Sequence, residues 1–142
     1  MTPNLVLEKK LALVLLITRL SIALVFMVWA FDKILAPGHT VKVFAAFYNL
    51  DISTSLAVGL GAVQIAFISA FALGLYKSMT YLAILVLHAG STFAAFAKYL
   101  DPLNNLLFFA AWPMLAACIG LYLLREYDVW VLSRKAELAY NR

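Results

Sequence analysis

Four long apolar stretches, Leu11–Leu35, Ser53–Tyr76, Ser78–Ala97 and Pro102–Leu124, divide the chain, and polar residues gather in the short segments between them. Each has about the 20 residues that a helix needs to cross a ~30 Å hydrocarbon core. None alternates as a strand would, and in lipid only helices and closed barrels satisfy the backbone's polar groups. The pattern predicts an all-α protein: a single integral membrane domain over residues 1–142, folded as an antiparallel up-down four-helix transmembrane bundle. Pro37-Gly38 is expected to stop the first helix. Asp101-Pro102 resembles an N-cap followed by proline at the first helical position, and so opens the fourth. Only Tyr76-Lys77-Ser78 separates the second and third spans, which predicts a tight hairpin. In the longest connection, Thr40–Leu50 places Val41, Phe44, Ala45 and Tyr48 on one side, predicting an interfacial helix at about 40–50. Beyond Leu124, residues 125–142 mix charge with Tyr127, Trp130, Val131 and Leu138, and read as an amphipathic tail along the cytoplasmic interface.

Composition agrees with lipid as the solvent. Of the 142 residues, 65% are hydrophobic and 13% charged, against roughly 45–50% and about 25% in a soluble domain. The net charge of +4 comes mostly from the chain ends, so a contiguous basic face for nucleic acid is not expected. The first apolar stretch contains Arg19 and lacks a small-x-small cleavage site, and reads as retained rather than as a signal peptide. Counting Lys and Arg sets the orientation. Lys9, Lys10, Lys77, Arg125, Arg134, Lys135 and Arg142 fall on one side, and Lys33, Lys42 and Lys98 on the other, which predicts both termini in the cytoplasm. Arg19 itself is tolerable. A central Arg costs about 2.5–3.5 kcal/mol, whereas the 13 Leu, Ile, Val and Phe residues between Leu11 and Phe31 return roughly 4–8 kcal/mol.

Arg19, Gln64 and His88 are the residues within the spans whose positions need explaining, since intramembrane polar groups are costly and usually face the bundle interior. At 100° per residue Ala12, Arg19, Phe26 and Lys33 form one stripe, flanked by Ala23 and Ala30, while Asp32 points elsewhere. His88 shares a stripe with Ser91, Thr92, Ala95 and Tyr99. Gln64 aligns with Ala57 and Gly61, opposite a ridge of small residues, Ala62, Ala66, Ala70 and Gly74, of the kind that lets helices approach closely in lipid. Gly90 with Ala94, and Ala116 with Gly120, offer similar patches. Pro113 is expected to kink the fourth helix. Trp29 and Trp112 read as outer-interface anchors.

One functional reading has Arg19, Gln64 and His88 converging on a polar cavity near mid-membrane, with Lys33, Lys98 and Asp101 around its outer mouth. Such a cavity suits a quinone headgroup, an anion or a lipid headgroup. Each residue also has a structural reading. Arg19 can snorkel to the cytoplasmic headgroups or bond carbonyls freed near Pro113. His88 can be a hydrogen-bonded packing residue, and Gln64 an interhelical hydrogen bond. Lone Cys118 excludes an internal thiol–disulfide cycle and zinc spacing. His39 and His88 do not form a membrane haem pair unless His39 folds inward. With Asp32 and Asp101 at span ends, no carboxylate relay is expected.

The run from Thr18-Arg19-Leu20 through Phe31-Asp32-Lys33-Ile34-Leu35-Ala36-Pro37 resembles the opening of the DoxX-like family of small four-helix bacterial membrane proteins, with an Arg inside the first helix and a Lys near its end before a Pro. The resemblance continues through Leu73-Gly74-Leu75 to Leu121-Tyr122-Leu123-Leu124-Arg125. It implies a multi-pass protein of the bacterial inner membrane that serves as an accessory subunit of a redox or quinone-linked complex. Binding a partner protein, a quinone or a lipid would be its task, with no complete catalytic site and no intrinsic cofactor or metal. Arg19 and Lys33 carry over, with Gln64 as a weaker match. Trp29-Ala30-Phe31-Asp32 stands where the family often has a Gly, and Gln64 where many members have Glu, which removes that acid from any redox or proton chemistry. An alternative reading is a small-solute transporter or permeation module acting as a homo-oligomer through the small-residue ridge.

Overall fold

The computed structural model describes residues 3–132, and these are helical without strands. Six α-helices follow in order: α1 Pro3–Leu35, α2 Pro37–Tyr48, α3 Thr54–Ala72, α4 Lys77–Ala94, α5 Phe96–Tyr99 and α6 Ala111–Leu123. Short 3-10 turns at Leu106–Ala110 and Arg125–Tyr127 flank α6. Three segments are long and apolar enough to cross a membrane, Leu5–Leu35, Thr54–Ala72 and Leu106–Leu123. At 18 residues, α4 is not among them, because Lys77, Thr80, His88, Ser91 and Thr92 punctuate it.

Helix ends follow local chemistry. The α1 helix begins well before Leu11, since Leu5–Lys10 has nothing to break it. It stops at Ala36, and Pro37 then opens α2 at a position where its missing N–H removes no intrahelical bond. Ser53 caps α3, its hydroxyl accepting from the Leu56 N–H at 3.1 Å. At the other end of α3, the Gly74 N–H donates to Phe71 and the Leu75 N–H to Ala70, with Gly74 left-handed at φ +69°. This is a Schellman closure, which favours glycine at that position.

The predicted opening of the fourth helix at Asp101-Pro102 is corrected. The Asp101 carboxylate accepts from the Asn104 amide at 2.9 and 3.1 Å, while Asn105 Nδ2 donates to the Asp101 carbonyl at 2.9 Å. These bonds close a turn in place of a cap, and α6 starts only at Ala111. Pro113 therefore lies in the first helical turn, where backbone N–H groups lack intrahelical partners anyway. It sits just after the point where the 3-10 turn Leu106–Ala110 passes into α6.

The helices run antiparallel in two pairs. Along α1 and α3, Arg19 meets Ala72, Phe26 meets Gln64, and Ala30 and Ile34 meet Gly61. Along α4 and α6, Lys77 and Ser78 meet Arg125 just past the end of α6, whereas His88 meets Ala111 at its start. The two pairs join through a core that includes Leu15, Ile22, Ile68, Phe71, Tyr81, Ile84, Cys118 and Leu121. The buried residues of α1, Ala12, Arg19, Phe26 and Ala30 among them, follow the predicted stripe. On α3 the buried side is Ala57, Gly61, Ile68 and Phe71, whereas Ala62 and Ala66 of the small-residue ridge are exposed. The ends of the molecule differ in chemistry. One carries Arg19, Lys77 and Asp128; the other carries the ring contacts Phe47–Phe108, Phe93–Trp112, Tyr99–Phe109 and Tyr99–Trp112.

Candidate functional site

Arg19 does not join Gln64 and His88. Antiparallel pairing sets it beside Ala72, the last residue of α3, so it lies level with the α3–α4 turn rather than at mid-helix depth. Its Nε donates to the Ala72 carbonyl at 3.1 Å, one of the carbonyls a helix end leaves without an intrahelical partner. Its Nη2 donates to the Trp130 carbonyl at 2.7 Å. Nη1 donates to the Tyr81 hydroxyl at 3.1 Å and forms an ion pair with Asp128 Oδ2. Tyr81 passes the interaction on, donating to the same Oδ2 at 2.7 Å. Arg19 is 2% exposed and Asp128 fully buried, so each charge is removed from water and compensated by the other.

Sequence reasoning missed Asp128 because it lies outside every apolar stretch. Residues 128–132 fold back across the α3–α4 turn: the Leu132 N–H donates to the Leu73 carbonyl at 3.0 Å, and Lys77 Nζ donates to the carbonyls of Arg125 and Asp128. A Cβ on Gly74 would lie 2.2 Å from Val131 Cγ1, so glycine is required by contact as well as by φ. Residues 133–142, the rest of the expected amphipathic tail, lie outside the described residues. The signal available was general: a charge inside a span pairs with an opposite charge or with backbone carbonyls, and Asp128 is one of several carboxylates outside the spans.

The other predicted residues lie around a cleft of about 1630 Å³ between α1, α2, α3, α4 and the start of α6. Lys33, Gln64 and His88 line it, with Asp32, Ser91, Thr92 and Tyr99; Arg19, Lys98 and Asp101 do not. The lining is mostly apolar, supplied by side chains such as Phe26, Trp29, Phe67 and Met114. Gln64 Nε2 donates to the Phe26 carbonyl at 3.1 Å, bridging α3 to α1. His88 Nε2 bonds the Ala111 carbonyl at 3.0 Å, bridging α4 to α6, and its ring meets Phe26 edge-on at 6.2 Å. Phe26 thus draws Gln64 and His88 to one level of the cleft.

At one end of the cleft, His39 Nδ1 lies 2.9 Å from Asp32 Oδ1, both partly exposed, so His39 bonds a carboxylate rather than turning toward His88. Lys33 Nζ donates to the Trp29 carbonyl at 3.3 Å. The Tyr99 hydroxyl is buried with no hydrogen-bond partner among the described residues, and burial raises its pKa above the ordinary tyrosine value. No cluster of three or more His, Cys, Asp or Glu side chains suited to a metal occurs among the described residues.

A large, mostly apolar recess with a few convergent polar atoms is the usual form of a site for a lipophilic small molecule. Among the described residues, the fold combines apolar helices compatible with a membrane, a half-open and mostly apolar cleft, and a buried ion pair. Comparison with known families, curated proteins and solved structures returns no match.

Proposed function

We propose that this protein is a four-pass, DoxX-like subunit of the bacterial inner membrane that holds a lipophilic molecule, a quinone or a lipid, in the cleft and thereby supports a redox or quinone-linked complex. Both termini lie in the cytoplasm. The observation that carries the reading is the cleft itself: apolar walls large enough for a ring or acyl segment, with Gln64 and His88 at one level to orient a headgroup. Several features support the topology. The α4 helix, about 27 Å long at ~1.5 Å per residue, nearly matches a ~30 Å hydrocarbon core. Lys77 donates to the segment after α6, which is consistent with counting Lys77 and Arg125 together. The buried Arg19–Asp128 pair serves the fold, and the binding role falls to Gln64 and His88, with Lys33 at the rim.

Extraction of the protein purified in mild detergent, followed by mass spectrometry of the organic phase, tests this directly. A quinone or a defined lipid is expected in near-stoichiometric amount, and it is lost on filling the cleft with Ser91→Trp. A preparation that carries no such molecule and takes none up when supplied overturns the reading.

The exposed Ala62 and Ala66 favour a second reading, in which α3 faces pair between copies and the protein works as a homo-oligomeric permeation module. Solute flux into proteoliposomes that depends on His88 would select it over the first.

A further inference from the structure

At the level of His88, the polar side chains of the cleft direct hydrogen-bond donors into the protein. The Ala111 carbonyl can only accept, so the His88 Nε2 that lies 3.0 Å from it carries a ring proton. With that proton on Nε2, the tautomer of an uncharged imidazole has Nδ1 as a lone-pair acceptor. The same logic orients Gln64: the group 3.1 Å from the Phe26 carbonyl must be its NH2, and Oε1 remains an acceptor. Ser91 and Thr92 both donate their hydroxyl protons to the His88 carbonyl, at 2.9 and 2.8 Å. His88 is 6% exposed, and neither its Nδ1 nor Gln64 Oε1 has a protein partner among the described residues. Of these four side chains, only the second N–H of Gln64 still offers a donor. Among these four side chains the free groups are thus two acceptors and one donor, and the indole N–H of Trp29 lines the same recess.

We infer that the cleft selects lipophilic molecules bearing a hydroxyl group, whose O–H donates to Nδ1 of His88, over their oxidised or etherified counterparts. Hydroquinones and lipid alcohols share that chemistry. A quinone carbonyl or an ether oxygen does not, and it would set one acceptor against another. The inference rests on the cleft being a binding site, and it narrows what the site takes.

Calorimetric titration of the full chain in nanodiscs, referred to empty nanodiscs, tests it with two matched probe pairs. One is a long-chain 4-alkylphenol and its methyl ether; the other is a long-chain alcohol and its methyl ether. Each pair differs by the loss of a single donor. The hydroxyl probe is expected to bind roughly three- to tenfold more tightly than its ether, the range for one hydrogen bond. His88→Phe should abolish that ratio while the ether still binds. Discrimination confined to the phenol pair supports a hydroquinone as the occupant, and discrimination in both pairs supports lipid alcohols as well. Equal affinities within both pairs in the wild-type protein overturn the inference and leave the cleft as a binding site. If no probe binds above the empty nanodisc, the binding-site reading falls with it. The wild-type comparison needs no variant to fold.

Discussion

Four hydrogen bonds and one opposite charge converge on Arg19. Burying such a pair gains little over an apolar pair of similar size, but removing one partner strands the other charge, at a cost of about 3–5 kcal/mol. Asp128→Ala and Arg19→Leu should therefore each lower the thermal midpoint in detergent sharply, while the double substitution Arg19→Met with Asp128→Leu recovers most of the loss. Additive effects would show that the two charges do not depend on each other. Tyr81→Phe removes one bond to the carboxylate and should cost about 1.5–3 kcal/mol by the same measurement. The apolar stripe through Arg19 was legible in the sequence, since helical periodicity alone sets which residues share a face. Its partner was not, because Asp128 lies 109 residues away and no local pattern encodes that separation.

Glycine has a different meaning in each helix. On α3, a Cβ at Gly61 would come within 2.8 Å of Ile34 and 2.9 Å of the Ala30 carbonyl. Gly61→Ala should force α1 and α3 apart and destabilise the protein by about 1–3 kcal/mol, the usual cost of overpacking. Gly90 and Gly120 have open space where a Cβ would go, so alanine at either site should be neutral or stabilising by about 0.5–1 kcal/mol through helix propensity. Thermal unfolding of the three variants checks the contrast. At Gly74, alanine meets both a left-handed backbone and Val131. Gly74→Ala should release residues 128–132 from the turn, seen as faster proteolysis after Arg125. Small residues were visible in the sequence as candidates for close packing. Which of them pack depended on helix rotation: α3 turns Gly61 and Gln64 toward α1 and leaves Ala62 and Ala66 outside.

For the whole molecule, the proposed topology predicts that single cysteines placed at positions 9 and 129 react from the cytoplasmic side, and those at 42 and 98 from the opposite side. Cys118→Ser removes the native thiol, which is buried. Labelling with a membrane-impermeant maleimide in intact and opened cells checks this, and labelling of positions 9 and 129 from opposite faces would defeat the four-pass arrangement. Long apolar runs carried the helical class, because a helix in lipid satisfies its own backbone and its length is matched to the bilayer. The all-helical class and the apolar helices long enough to span were thus determined by the residues in order along the chain. The tertiary structure decided the rest: Arg19 at the end of α3 beside Asp128, and Gln64 with His88 on a separate cleft. Periodicity gives the face of a helix, whereas depth and partner depend on how one helix registers against another, which is set by contacts between residues far apart in the chain.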